Sequence, residues 1–159
     1  MRHFLSFLAV AVFAIFVGSQ ITEGVLLVPY WQSLDADSFS VYYRQFGPSI
    51  AQFYTVLTIV AALIPVAVAI DCRRKHAKAF RFAVVSSFLA ALFIACFYVY
   101  FKGANDLFYQ ATLSEADLQK ELVTWSTWHW GRIVIEVLSM IYLMLALSQV
   151  SSSLNGRSK

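Results

Sequence analysis

Four side chains with chemical potential share one face of a predicted helix in the last third of the sequence. They are Trp125, His129, Arg132 and Glu136, at spacings of four, three and four residues. Such spacings place side chains on one side of an α-helix. A histidine or a carboxylate can move a proton, and an arginine can stabilise a developing anion. The pattern therefore predicts a site for proton transfer or for binding a polar group.

The sequence around these residues is apolar, which constrains where the charges can lie. An ionised side chain at the centre of a bilayer costs about 2.5 to 3.5 kcal/mol, so Arg132 should face the protein interior and have a partner. Gln20 and Glu23 stand one turn apart on another apolar segment. From the helical rise, we expect Glu23 and Arg132 to meet at a similar depth. Gly24 would let the two helices approach closely there.

Further polar residues fall at the same depth on the other apolar segments. Gln52 and Tyr54 lie near the start of the second segment, and Asn105 follows the third. Convergence of many polar groups in an apolar cavity is the usual description of a small-molecule site. We therefore predict a pocket in the outer half of the molecule.

Each of these features also has a purely structural interpretation. The tryptophans between residues 125 and 130 are typical of an aromatic belt at a membrane interface. Arg132 with Glu23 and Glu136 would serve as a structural clamp, and Glu136 can pair with Arg132 along its own helix. One clamp needs only two charges, whereas more polar groups converge here. This surplus favours the ligand site.

The composition indicates the class of protein that positions these side chains. Of 159 residues, 60% are hydrophobic and 13% are charged, whereas about a quarter are charged in soluble domains. Four apolar segments, at about 4–30, 47–70, 80–101 and 123–149, are each long enough to cross about 30 Å of hydrocarbon. The sequence predicts an all-α four-helix transmembrane bundle, with residues 1–159 as a single domain.

The first of these segments begins like a signal peptide, with Arg2 before an apolar run that pauses at Gly18. Its apolar character resumes between residues 25 and 31. We therefore expect a full span that is retained.

Most cations stand on one predicted side of the bundle. They are Arg2, Arg73, Arg74, Lys75, Lys78, Arg81, Arg157 and Lys159. Because lysine and arginine in short loops are retained on the cytoplasmic side, both termini are predicted to be cytoplasmic. We expect a multi-pass protein of a bacterial inner (plasma) membrane, in contact with the lipid bilayer. The net charge of +3 then reflects topology and predicts no nucleic-acid partner.

The two outer connections predict short amphipathic helices. Ser33 or Asp35 can cap the first, before the second span opens near residue 47, and Ser114 with Asp117 has capping-box spacing in the second. These two short helices are expected to cover the outer end of the bundle.

The histidine positions argue against haem and against most metal sites. His3 and His76 fall on the predicted cytoplasmic side, and His129 falls on the other side, so we expect no pair of them to sandwich a haem or to complete a first-row metal site. We predict no metal and no cofactor. A carboxylate-rich metal site of Glu23, Glu136 and His129 stays open as an alternative.

Several short motifs together point to a known family. They are TEGVLLVPYWQSL at 22–34, FGPSIAQFY at 46–54, N-D-L at 105–107 and W-x3-H-x2-R at 125–132. The sequence resembles the anthrone oxygenase-like family of small four-helix membrane proteins, which is largely a domain of unknown function. The likeness covers essentially the whole chain. It implies that some relatives oxygenate a reduced polycyclic phenol without metal or flavin.

The resemblance also implies roles for residues of this sequence. It makes Asn105, Trp125, His129 and Arg132 pocket residues. A base would remove a proton from an activated carbon acid, the anion would react with dioxygen, and Arg132 would stabilise the anion. We predict His129, Arg132 and Glu23 as catalytic residues. The predicted substrate-binding residues are Gln20, Gln52, Tyr54, Asn105, Trp125 and Glu136.

The function predicted from these observations is binding of a small hydrophobic, aromatic or quinone-like molecule, with oxygenase or other oxidoreductase activity. One alternative is a non-catalytic membrane subunit or assembly factor that docks another membrane protein, and a homo-oligomer is also open. Another alternative is a carrier. A cavity behind Trp125 would favour the first function, a tightly packed interior the second, and a polar path continuing inward past Glu136 the third.

Overall fold

The chain folds into four long helices joined by three tight turns. The structure, a computed structural model, describes residues 2–74 and 76–155, with side chains for 4–74 and 76–151. The first helix comprises Arg2–Thr22, a π-helical segment Glu23–Leu27, and Val28–Gln32. The second is Ala36–Cys72, the third comprises Ala77–Cys96, a π-helical segment Phe97–Phe101 and Lys102–Gln110, and the fourth is Glu115–Asn155. The predicted all-α four-helix bundle is confirmed.

All four helices are long and apolar enough to cross a membrane, so the chain is an integral multi-pass membrane protein. Each predicted span lies within one helix. Since the helices alternate in direction, Arg2 and Asn155 lie at the same end of the bundle, together with the turn after Cys72. Which side of the membrane this end faces stays a prediction, and Lys75, the side chain of Arg2, Arg157 and Lys159 lie outside the described residues.

The amphipathic segments of the two outer connections are helical, but they are continuous with the spans. The second helix passes through Pro48 without a break, and the third continues to Gln110. Aromatic packing explains the continuity, because Phe39 and Tyr43 before Pro48 pack on Trp31. Only residues 33–35 and 111–114 remain as turns at this end of the bundle.

Polar side chains cap both helices that begin at these turns. The N–H of Ser38 donates to Asp35 at 2.7 Å, and this bond lowers the pKa of the Asp35 carboxyl below its ordinary value. Ser114 accepts from the N–H of Asp117 at 3.3 Å and donates to its carboxylate at 2.6 Å. Asp35 and Ser114 therefore act as the predicted caps.

The buried core has two large parts along the bundle, besides a small cluster of Cys72, Ala79 and Val150. One is rich in aromatic residues and lies near the turns at 33–35 and 111–114; we call it the aromatic end. Its largest members are Trp31, Phe39, Tyr43, Phe101, Phe108 and Trp125. The other part is the apolar cluster, built from Phe13, Phe16, Val17, Ala61, Ala62, Ala90, Phe93 and Leu143. Between the two, along the first and fourth helices, lie the buried polar side chains Gln20, Glu23, His129 and Glu136.

The third and fourth helices pack closely through small residues. Ser86 Oγ donates to the Ser139 carbonyl at 2.8 Å, and Ser139 Oγ donates to the Ser86 carbonyl at 3.0 Å. Ala79, Ala83 and Ala90 on the same face of the third helix are fully or almost fully buried. Small residues allow transmembrane helices to approach, and reciprocal hydroxyl bonds fix their register.

The two turns at the aromatic end are bonded to each other. A carboxylate oxygen of Glu115 accepts from the N–H of Ala36 at 2.6 Å, and Gln119 donates to the Leu34 carbonyl at 3.2 Å. The start of the fourth helix therefore holds the start of the second.

Candidate functional site

Arg132, on the fourth helix, lies among the buried side chains of Gln20, Glu23, His129 and Glu136. We call these five residues the polar cluster. Arg132 Nη2 donates to Gln20 Oε1 at 2.6 Å and lies 3.9 Å from Glu23 Oε2. Its Nε lies 3.4 Å from Glu136 Oε1, one turn along the same helix. The guanidinium stands 4.5 Å from the centre of the Phe101 ring, a cation–π distance. The predicted meeting of Glu23 and Arg132 is confirmed, although the shortest bond goes to Gln20.

His129 is fully buried behind Arg132. Its Nε2 lies 2.9 Å from the main-chain carbonyl of Gln20, so Nε2 carries a hydrogen and donates, because a carbonyl only accepts. In the neutral ring Nδ1 is then an acceptor, and Arg132 Nη2 approaches it to 3.3 Å. The ring also stacks on Trp125, with centroids 4.9 Å apart. Both ring nitrogens of His129 are therefore engaged within the protein.

Gly24 permits the close contact between the first and fourth helices. A Cβ atom at this position would lie 3.1 Å from His129 Cδ2 and 3.1 Å from Trp130 Cζ2, which is tighter than ordinary van der Waals contact. The close approach that Gly24 predicted is confirmed. It brings the Gln20 carbonyl within reach of His129.

Two π-helical segments flank the cluster. In the first, the N–H of Val28 donates to the Glu23 carbonyl, and Pro29 follows directly. Proline lacks an N–H and its ring clashes with the carbonyl four residues earlier, so a wider turn before Pro29 relieves the clash. The second segment ends where the N–H of Lys102 donates to the Phe97 carbonyl. Such segments are frequent at functional sites, and these two carry Glu23 and Phe101 to Arg132.

A cavity of about 340 Å³ borders the polar cluster, which is within the usual range for small-molecule sites. Glu23, Arg132 and Glu136 form its polar wall, with Trp31 and Trp125 toward the aromatic end. The second and third helices supply the facing wall, which includes Tyr54, Thr55, Ile59, Phe97, Phe101 and Asn105.

Several buried polar atoms on this wall have no hydrogen-bond partner within the described part of the chain. They are both carboxylate oxygens of Glu136, Arg132 Nε and Trp31 Nε1. The contact between Arg132 and Glu136 is thus an ion pair without hydrogen-bond geometry. Buried polar atoms are otherwise almost always paired. Glu136, Arg132 and Trp31 line the cavity, although these particular atoms are covered by neighbouring groups.

Most of the predicted site residues come together in this region. Tyr54 lines the cavity and donates to the Ser19 carbonyl of the first helix at 3.0 Å. Asn105 also lines it and accepts from Trp125 Nε1 at 3.2 Å. Gln20 and His129 lie directly behind the wall, bonded to Arg132.

Gln52 is not brought to the cavity. Its side chain is exposed, whereas Ala51, Tyr54, Thr55 and Thr58, on one face of the same helix, line the wall. Residue numbers along a span indicate depth, and Gln52 has the predicted depth. The face that Gln52 occupies depends on how the second helix is rotated about its own axis. In the structure this rotation places Gln52 on the exposed face, so the prediction that it lines the pocket is wrong.

Several cavity residues were missed by the sequence analysis. Trp31 was not among the predicted site residues, but it is almost fully buried and makes an edge contact with Trp125, with ring centroids 5.5 Å apart. On the third helix, Phe97, Phe101, Asn105 and Tyr109 recur every four residues and all line the cavity. This spacing is the signal that would have found them.

The polar character of the interior ends near Glu136. One turn further along the fourth helix, Ser139 is bonded to Ser86 and does not line the cavity. Beyond it lies the apolar cluster, where Phe16, Ala61 and Leu143 are fully buried.

Among the described side chains, no group of three or more His, Cys, Asp or Glu is arranged to hold a metal ion. Glu23 and His129 are close, at 3.8 Å. His76 lies at the opposite end of the bundle from His129, in the turn after Cys72, and the side chain of His3 lies outside the described residues.

Comparison with protein-family models, with curated proteins and with solved structures finds no match to this chain. The resemblance to the anthrone oxygenase-like family therefore stays a proposal. The geometry of the site is therefore the basis for inferring a function.

Proposed function

We propose that this membrane protein binds a small hydrophobic molecule of aromatic or quinone-like type in the cavity beside Arg132. We further propose that it acts on this molecule as a cofactor-independent oxygenase or as another oxidoreductase. The observation that carries the proposal is the Glu136 carboxylate, buried at the cavity wall with both oxygens unpartnered and with Arg132 at 3.4 Å.

The shape and lining of the cavity support an aromatic guest. Trp31, Trp125, Phe97 and Phe101 offer ring faces and edges, which favour stacked and edge contacts with another ring. A donor group on the guest would bond Glu136, and an acceptor would bond Arg132 or the Trp31 N–H. A phenol, quinol or quinone carries such groups on an aromatic body.

The arrangement also supports a specific division of labour. Glu136 in its ionised form would take a proton from the activated carbon or hydroxyl of the guest. Arg132 would stabilise the resulting anion. His129 does not line the cavity, so in this proposal it positions Arg132 and does not act as the base. Glu23 neutralises the charge of Arg132 from the opposite helix.

For an anthrone, the proposed oxygenation is chemically balanced. The ring methylene loses a proton to Glu136, and the electron-rich anion transfers electrons to dioxygen and forms a carbon–oxygen bond. The resulting peroxide anion regains the proton from Glu136 and becomes a hydroperoxide. The hydroperoxide then loses water, which carries away one oxygen atom and both hydrogens of the methylene, and Glu136 is ionised again. One methylene and one dioxygen thus give one carbonyl and one water.

The alternatives that the sequence left open are less well supported. A docking subunit needs no cavity beside its charged residues, whereas one of about 340 Å³ is present. A carrier needs a polar path past Glu136, whereas the apolar cluster follows it.

The test is turnover of anthrone by the purified protein in lipid nanodiscs. We expect dioxygen uptake and anthraquinone formation in equal amounts, above the rate of empty nanodiscs. Glu136→Gln keeps the shape of the side chain and removes the base, so the rate should fall about 100-fold or more. Glu121→Gln is the matched control, since Glu121 bonds Tyr100 and does not line the cavity.

Binding of menadione, a quinone without a tail, is measured on the same samples. Turnover that is unaffected by Glu136→Gln would contradict the assigned base. A protein that binds neither compound, and that purifies with a stoichiometric membrane-protein partner, would favour the docking alternative.

A further inference from the structure

We infer that the cavity is entered sideways from the membrane, through the gap between the second and third helices. The occupant is then a molecule dissolved in the hydrocarbon of the bilayer. This inference rests on the proposed function, because it concerns access to the same cavity.

The side formed by the first and fourth helices is closed. Gly24 packs so tightly that an added Cβ would lie 3.1 Å from both His129 and Trp130. The buried bonds from Gln20 to His129 and Arg132 cross the same interface. Nothing of the size of an aromatic ring passes between these helices.

Aromatic rings also narrow both ends of the cavity along the bundle axis. At the aromatic end, Trp31 and Phe101 make edge contacts with Trp125, with ring centroids 5.5 and 5.1 Å apart. At the other end, Phe16 and Phe93 contact each other with centroids 5.5 Å apart, and both are buried.

The side formed by the second and third helices is bordered by residues that line the cavity and are also exposed at the surface. Ile59 of the second helix is 53% exposed, and on the third helix Phe97 is 38% and Tyr98 69% exposed. A side chain that meets both the cavity and the exterior leaves at most one layer of atoms between them, so the geometry points to an opening here. The gap between the second and third helices is therefore a mouth of the cavity.

The two edges of this mouth lie at the same depth. A Cβ on Gly47 would meet the Tyr109 hydroxyl at 3.0 Å, so these residues mark one level of the two antiparallel helices. Ile59 lies twelve residues after Gly47, and Phe97 lies twelve residues before Tyr109. Ile59 and Phe97 therefore lie at a similar depth, within the apolar spans.

The surface around the mouth indicates what passes through it. The neighbouring Val56 and Val99 are 56% and 72% exposed, so this part of the surface contacts acyl chains. An uncharged aromatic molecule partitions into such surroundings, and a charged one does not. The polar group of the guest then meets Glu136 and Arg132 only after it has left the lipid.

A second route has to be distinguished from this one. Lys102 and Asp106 also line the cavity, are well exposed, and form an ion pair at 3.0 Å toward the aromatic end. A water-soluble, charged molecule would arrive there. The two routes differ in position along the same gap, so they can be blocked separately.

The experiment bridges the mouth reversibly in the folded protein. Ile59→Cys and Phe97→Cys are introduced with Cys72→Ala and Cys96→Ala, and the purified protein in nanodiscs is treated with bifunctional thiosulfonates of graded length. Association and dissociation of menadione are followed by quenching of tryptophan fluorescence, after every reagent has been removed and any free thiol has been capped with a methyl thiosulfonate, because menadione adds to free thiols. We expect the bridge to slow both rates at least tenfold, and a reducing agent to restore them. The single-cysteine variants and a monofunctional reagent are the controls.

The outcomes separate the inference from the proposed function. Unbridged protein that binds no menadione would overturn the proposed function, and the lateral route with it. Binding with rates unchanged by the bridge would overturn the lateral route alone. If the bridge leaves the association and dissociation rates of menadione unchanged but Asp106→Trp lowers them, access is from water.

Discussion

At the scale of single residues, Arg132 explains why the interior of this bundle tolerates charge. Its side chain is 12% exposed, and the guanidinium is surrounded by the carboxylates of Glu23 and Glu136, the amide of Gln20 and the ring of Phe101. Burying ionised groups is costly unless each has partners. The cluster is therefore coupled, and removing its central cation leaves two carboxylates without their counter-ion.

This coupling predicts the effect of Arg132→Ala on stability. Breaking a buried ion pair from one side costs about 3 to 5 kcal/mol, so we expect a loss of this order in the free energy of unfolding. Lys102→Ala is the matched control, because its ion pair with Asp106 is exposed and such pairs contribute about 0 to 1 kcal/mol. Reversible unfolding in mixed detergent and dodecyl sulfate micelles measures both. Equal losses in the two variants would contradict the buried cluster.

Prediction from sequence succeeded at this scale where spacing determines position. One helix face carries Trp125, His129, Arg132 and Glu136, so their convergence could be predicted from their spacing in the sequence alone. Whether a nitrogen of His129 faces a guest or a main-chain carbonyl depends on the neighbouring helix, and spacing does not indicate it. In the structure, His129 is bonded to the Gln20 carbonyl of the first helix and does not line the cavity.

At the scale of helices, the packing of the first helix on the fourth sets the geometry of the site. The π-helical turn at Glu23–Leu27 and the glycine within it bring Gln20 and Glu23 against His129 and Arg132. Pro29 gives a sequence signal for the first π-helical turn. The second, Phe97–Phe101, contains neither proline nor glycine, so nothing in its sequence marked it.

The close packing predicts a marked effect of Gly24→Ala. The added methyl would press on His129 and Trp130 at 3.1 Å, and overpacking of this kind costs about 1 to 3 kcal/mol. The helices must also separate, so binding of menadione should weaken.

Gly18→Ala and Gly131→Ala are the controls for this prediction. A Cβ at either position meets nothing within 4 Å. Since alanine favours a helix by up to about 1 kcal/mol over glycine, these variants should be unchanged or slightly more stable in the same unfolding assay. A Gly24→Ala protein as stable as the controls would show that the two helices are not in tight contact.

At the scale of the whole molecule, hydropathy predicted four spans because each crossing needs about 20 apolar residues. It did not predict that the connecting segments would be continuous with the spans, since Gly47 and Pro48 together suggest a break. Aromatic packing of residues such as Phe39 and Tyr43 overrides that local preference. The cavity was beyond prediction in detail, because side chains from all four helices line it.

The central claim is that a guest occupies this cavity, and filling the cavity with a side chain tests it most directly. The measurement is the dissociation constant of menadione for the protein in nanodiscs, with Thr55→Phe and Val56→Phe compared. Thr55 lines the cavity, whereas Val56 is the next residue, is exposed and does not line it. We predict that Thr55→Phe raises the dissociation constant at least tenfold, about 1.4 kcal/mol, and that Val56→Phe leaves it unchanged. Equal binding by the two variants would contradict the account.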